Sequence, residues 1–287
     1  MNQLARYLLP EEARLASKQA ELKVDEQLAA LSAGQVEIFF VMPVIYRQVA
    51  SYCWAAGDIR GVHKNLLLAC HFYRYSFLLG FESAVSTGFD VPLPNGSTIT
   101  MQTAGYGTDH KSWVDALAIA VLVFDYQTMG LLLQFENYHQ PAEPTPTFNL
   151  SVAWARLLQA LASLDGEIRS TFADVMRATL SDTSMPPTPD FHKMVQNCVG
   201  PNANIVRCLI EQDERGYLQA VKDACIQHSQ HVGESDVRQH PEKTLNHMTA
   251  GLVQFAVTHG FPEPPDAWGL PNFRMIQTSR SQAATPQ

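Results

Sequence analysis

The chain has 287 residues, with 20 Lys plus Arg against 28 Asp plus Glu, a formal net charge of −8 and 46% hydrophobic residues. That length supports a sizeable core, and that apolar content excludes global disorder and a fibrous repeat. The acidic balance argues against a nucleic-acid partner held by counterion release and leaves room for a basic protein partner.

Helical periodicity dominates from the start. Leu15, Leu22, Leu28 and Leu31 fall near one face of a segment rich in Ala, Glu, Gln and Lys, which predicts a long first helix stopped at Gly34. The apolar run over 36–54 contains Pro43, so it is kinked there or begins close to it. Gly57-Asp58 ends that run, and the Asp offers an N-cap acceptor for a helix over 59–81. The same device recurs at Asp109, at Asp125, at Leu164-Asp165-Gly166 and at Asp213-Glu214-Arg215-Gly216, each time between helical runs. Short polar breaks of this kind join antiparallel neighbours. No fixed repeat period of a solenoid is present.

One stretch departs from the pattern. Phe89 to Leu93 and Ser97 to Met101 alternate apolar and polar residues around Pro94-Asn95-Gly96, a strong hairpin signal. Pro92 and Pro94 confine the first strand to an edge, and so small a ribbon needs helices to pack on. A loop over 103–108 follows. The Pro-rich stretches at 140–146 and 185–189 are linker candidates, but apolar density is similar on both sides. The expected architecture is therefore mostly all-α: an irregular bundle of antiparallel helical hairpins with one small β-hairpin. It would form a single domain over 1–275, with the hairpin insertion at about 89–102 and a flexible tail at 276–287.

Catalytic motifs fail in turn. Gly105-Tyr106-Gly107 lacks a third spaced glycine, no Gly-Lys-Ser/Thr occurs, and neither a Gly-x-Ser-x-Gly elbow nor His-Glu-x-x-His is present. Cys53, Cys70, Cys198, Cys208 and Cys225 include no pair at two-residue spacing. Cys70 and Cys208, in apolar runs, read as small core residues. His228 and His231 share a helix face, and Glu234, Asp236 or His247 would be needed to complete a metal site. Their polar surroundings instead fit a helix end. Glu11-Glu12 and the acids at 211–214 suit helix starts and turns. The aromatic run His71-Phe72-Tyr73-Arg74-Tyr75-Ser76-Phe77 reads as core, with Tyr hydroxyls at the rim. No catalytic residue, metal or cofactor is expected. Residues 1–10 lack a secretory signal, and the apolar runs near 114–124 and 129–135, broken by Asp125, fall short of the ~20 residues that span a bilayer. No membrane partner and a cytoplasmic location follow as expectations.

Two segments together carry a resemblance. One is Lys111-Ser112-Trp113-Val114-Asp115-Ala116 and the apolar helix it opens, with Asp125 and Leu131-Leu132 beyond. The other is Ala220-Val221-Lys222-Asp223-Ala224-Cys225, then His228, an apolar stretch over 245–260, and Trp268-Gly269-Leu270-Pro271. In order of elements, residues 66–273 resemble the immunity protein 49 family of bacterial polymorphic toxin systems; the first helix and the Pro-rich loops have no counterpart in it. The resemblance implies a mostly α-helical cytoplasmic protein with no catalytic residues. It would bind a cognate toxin domain, delivered by contact-dependent or type VI secretion, and hold it inactive. Such a toxin is expected to attack nucleic acid, as a deaminase or nuclease, and to carry a basic cleft that an acidic inhibitor complements.

Variable recognition belongs on irregular elements rather than on packed helices. The expected partner-binding residues are therefore Asp90, Asn95, Thr98, Tyr106 and Asp109 around the ribbon, with Glu136, Tyr138 and Glu143 in the next loop. Trp113 is expected as an apolar anchor and Asp115 as a first-turn carboxylate of the scaffold. The alternatives are a helical-repeat-like adaptor holding a peptide in a groove, and an all-α metal-dependent hydrolase using His228 and His231. Oligomeric state is not legible in the sequence.

Overall fold

A computed structural model describes residues 9–81, 88–101, 109–135, 145–180, 188–234 and 241–273. The expected tail at 276–287 lies outside them. The first helix, α1 (Pro10–Ser32), starts with proline in its first turn, and the Glu12 carboxylate accepts the Leu9 N–H at 2.8 Å. Its buried face is Ala13, Ser17, Val24, Leu28 and Leu31, whereas Leu15 and Leu22 are exposed. At about 100° per residue, Leu15 and Leu22 share a stripe roughly opposite that of Leu28 and Leu31. The four leucines are thus on two faces, which corrects the single face expected from their spacing.

A 3₁₀ segment (Val36–Val41) leads into α2 (Met42–Ala55), where Pro43 occupies the first turn and so begins a helix without kinking one. The third helix, α3, covers Ile59–Phe81. Beyond the ribbon come α4 (His110–Val123), α5 (Tyr126–Leu133), α6 (Pro146–Ser163), α7 (Ile168–Thr179) and a short α8 (Pro189–Met194). A π-helical turn (Val195–Val199) joins α8 to α9 (Gly200–Glu211), followed by α10 (Glu214–Glu234), a 3₁₀ turn (Pro241–Thr244) and α11 (His247–Thr258). The mostly all-α expectation holds.

The connections share one construction. Gly57, Phe124, Leu164 and Gln212 each end a helix in the left-handed conformation, and each is followed by aspartate. The backbone N–H of that aspartate returns to the preceding helix: Asp58 to Cys53 O, Asp125 to Ala120 O, Asp165 to Ala160 O and Asp213 to Cys208 O, all within 2.8–3.0 Å. Its carboxylate then accepts an N–H at the start of the next helix, from Gly61, Thr128, Glu167 and Gly216 respectively. One residue pair thus satisfies orphan groups on both sides of the turn. The helices so joined, α2/α3, α4/α5, α6/α7 and α9/α10, pack as neighbours.

Most of the interior is one connected set of buried side chains running from Val24 to Phe273, with Trp113, Trp154, Phe72, Phe77 and Phe135 among its fully enclosed members; Ala13 and Ala55 form a small separate cluster between α1 and α2. Cys70 and Cys208 lie inside it, as their surroundings suggest. α4 and α11 cross closely: a Cβ on Gly251 would meet Ala118 O at 2.5 Å. Only glycine permits that approach. Among the described residues, no helix is long and apolar enough to cross a membrane.

Candidate functional site

The ribbon consists of antiparallel β1 (Phe89–Pro92) and β2 (Thr98–Met101), in register Phe89↔Met101, Asp90↔Thr100, Val91↔Ile99 and Pro92↔Thr98. The turn is a three-residue loop: Gly96 N–H bonds Leu93 O at 2.9 Å, Leu93 N–H bonds Ser97 O at 2.8 Å, and Gly96 alone takes positive φ. Asn95 uses its side chain instead, its Oδ1 accepting from the Ser97 N–H (3.1 Å) and hydroxyl (2.7 Å). Val91, Leu93, Ile99 and Met101 face the helices and are buried. The ribbon is tied to α1 by the Ser32–Ser97 hydroxyl pair at 2.8 Å and to α3 by His71 Nε2 donating to Pro92 O at 2.7 Å.

This placement puts part of the expected recognition set on one exposed surface. Asp90 and Thr98 are exposed, with Asp90 accepting from Thr100 Oγ1 at 2.7 Å, and Asn95 marks the turn. Asp109 stands apart at the N-cap of α4, its Oδ1 accepting the Ser112 N–H at 2.7 Å. Tyr106, Glu136, Tyr138 and Glu143 lie outside the described residues.

A second polar cluster is internal. Asp115 is not in the first turn of α4; it lies a turn further on and faces inward, which corrects its expected role. Its Oδ2 accepts from Arg47 Nη1 of α2 at 2.7 Å and its Oδ1 from His247 Nε2 of α11 at 2.9 Å. Arg47 Nη1 also reaches the Tyr73 hydroxyl at 3.4 Å, so that hydroxyl points into the protein instead of the rim. Burial alone would raise the Asp115 carboxyl, but the Arg47 guanidinium, His247 and Lys111 outweigh it and hold the group well below the usual carboxylate range. Trp113 is the buried anchor its sequence context suggests, with Nε1–H donating to Leu132 O at 2.9 Å.

Two titratable groups near this cluster, Cys198 and His228, are shifted chiefly by burial. Burial and then the Asp115 charge push the Cys198 thiol up to about 12, which disqualifies it as a nucleophile near neutrality. His228, with Nε2 3.4 Å from Thr244 O, is lowered to about 4, chiefly by burial. His231 instead lines a surface cleft of about 960 Å³ between α7, the π-helical turn, α9 and α10, together with Met176, Thr179, Lys193, Gln196 and Asn204. The two rings therefore go different ways. Among the described residues no three His, Cys, Asp or Glu side chains gather as metal ligands. Asp236 lies outside them.

The immunity protein 49 family model matches residues 81–264. The chain belongs to that family. No curated protein and no solved structure matches it. The family segment of this immunity protein contains the ribbon, Trp113, Asp115, the cleft and His247, whereas Arg47 and α1 precede it. The Arg47–Asp115–His247 bridge thus fastens the family segment to the helices before it. Sequence reasoning missed that bridge. The signal was present: a single cation, Arg47, inside an apolar helical run requires a buried carboxylate.

Proposed function

We propose that this immunity protein neutralises a cognate secreted toxin domain by direct protein–protein inhibition, without bond-making chemistry of its own. The family match over 81–264 carries the reading. Supporting it, the buried Arg47–Asp115–His247 network is spent on an internal bridge, and the thiol beside it is held protonated. The net charge of −8 suits a basic, nucleic-acid-degrading or -modifying partner, such as a deaminase or nuclease, acting in the cytoplasm of a sibling cell after contact-dependent or type VI delivery. A stable inhibitory complex needs about 800 Å² from each partner. The ribbon, with Asp90, Asn95 and Thr98, is the proposed centre of that surface, and Tyr106, Asp109, Glu136, Tyr138 and Glu143 are its proposed extension.

The test is co-expression with the cognate toxin domain, expected at the C-terminus of a secreted multidomain protein encoded by the adjoining gene. A stoichiometric complex that abolishes the domain's activity is expected, with an association rate that falls as salt is added. Absence of a complex with active toxin domain would remove the reading; a salt-independent association rate would remove only the electrostatic part.

A further inference from the structure

The two edges of the ribbon are treated differently. In an antiparallel pair, residues alternate between exchanging ladder hydrogen bonds and pointing their backbone groups outward. Leu93 and Ser97 are bonded to each other across the ribbon, so counting by twos makes Val91/Ile99 and Phe89/Met101 the bonded pairs. Asp90 and Pro92 then point outward on β1, and Thr98 and Thr100 point outward on β2. The β1 edge is closed in the ways that protect natural edges: Pro92 has no N–H, its carbonyl is taken by His71, and Asp90 adds a charge. α1 packs beside β2, but among the described residues β2 has no proline, no captured carbonyl and no charge of its own. In its sequence, Thr98-Ile99-Thr100-Met101, both threonines are exposed, and their N–H and C=O groups meet no partner among the described residues.

We infer that the β2 edge is a docking strand that the toxin domain completes by adding an extended segment, main chain to main chain, to the ribbon. This rests on the binding function proposed above and names how the partner is held. The occupant is a strand-forming, proline-free stretch that supplies N–H and C=O groups opposite Thr98 and Thr100, as in other β-augmented complexes. β-branched threonines favour the extended backbone that such pairing needs. The ribbon is prepared to receive it, because Thr100–Asp90 and Asn95–Ser97 hold its outer face and turn, and His71 and Ser32 hold it on the bundle.

Proline separates this from a side-chain contact. Thr98→Pro and Thr100→Pro each delete an outward N–H while leaving the internal ladder intact, a placement edge strands tolerate. Each is expected to weaken binding of the toxin domain about tenfold more than the matching Thr98→Ala or Thr100→Ala, which loses the side chain but keeps the N–H, at roughly one lost hydrogen bond to a buried partner. On the wild-type chain, residue-resolved hydrogen exchange is expected to slow at both amides by at least about tenfold on complex formation. That measurement stands even where a proline variant misfolds. A wild-type complex in which neither amide gains protection overturns the edge while leaving the binding function intact; no wild-type complex overturns the binding function and the edge with it. Protection of both amides in the free chain, lost on dilution, would assign the edge to a second copy and overturn the inference.

Discussion

Arg47 Nη1 and Asp115 Oδ2, 68 positions apart in the chain, meet at 2.7 Å between α2 and α4, with 11% and 19% of their side chains still exposed. His247 completes the bridge from α11. Removing one partner leaves an uncompensated charge in the interior, so Asp115→Ala and Arg47→Met are each expected to destabilise by about 3 kcal/mol. The double variant is expected to lose less than the sum of the two, because no unpaired charge remains. Urea unfolding of the four proteins measures the coupling, and strict additivity would deny the bridge.

Stability is expected to fall on acidification in two windows. His228 is lowered to about 4 in the folded state, mainly by burial. Between the ordinary histidine value near 6.5 and about 4, the unfolded chain binds a proton that the folded chain does not, so stability declines as pH falls through that range. The loss is on the order of 3 kcal/mol, and His228→Gln is expected to flatten it. Asp115, held low by Arg47 and His247, contributes stability that is present above the ordinary carboxylate value near 3.9 and is lost below it, as pH falls toward its depressed folded value. Unfolding curves from pH 7 to pH 3 on wild type and His228→Gln resolve the first window.

Two glycines in helices make opposite demands. A Cβ at Gly251 would lie 2.5 Å from Ala118 O, a backbone atom that cannot rotate away, so Gly251→Ala is expected to force α4 and α11 apart and destabilise by about 1–3 kcal/mol. At Gly130 in α5 nothing lies within 4 Å, and Gly130→Ala is expected to stabilise by roughly 0.5–1 kcal/mol from helix propensity alone. A thermal unfolding midpoint for Gly251→Ala that matches or exceeds wild type would show that the α4–α11 crossing is not as close as described; one for Gly130→Ala that falls would deny the gain from helix propensity.

The helices were legible because their signals are local. Asp58, Asp109 and Asp125 each precede a run of helix formers, and each caps the helix expected of it. The hairpin was legible from Pro94-Asn95-Gly96, although only Gly96 takes the left-handed conformation. What stayed hidden depends on distant partners. Asp115 reads as an ordinary early-helix carboxylate until α2 brings Arg47 against it. The split of the α1 leucines was recoverable from helical angle alone. The outward backbone groups of β2 needed bond parity, and parity is set by the turn: a two-residue loop at Asn95-Gly96 would have paired different residues. The short α8 and its π-helical turn, beside a proline-rich stretch, gave no periodicity long enough to read.

The left-handed helix ends make one further expectation. Leu164 closes α6 at φ 53°, a conformation that strains any residue with a Cβ, and the residue is 69% exposed. Its turn is held by backbone bonds, Leu164 N–H to Leu161 O and Asp165 N–H to Ala160 O, neither of which needs the leucine side chain. Leu164→Gly therefore relieves the strain and removes an exposed apolar group, at the expense of a more flexible unfolded chain. The net is expected to be stabilising by about 0.5–1 kcal/mol, seen as a midpoint raised by roughly 1–4 °C. Leu164→Ala, which keeps the Cβ, is expected to gain little. Equal gains from both would assign the effect to lost surface hydrophobicity and not to the backbone.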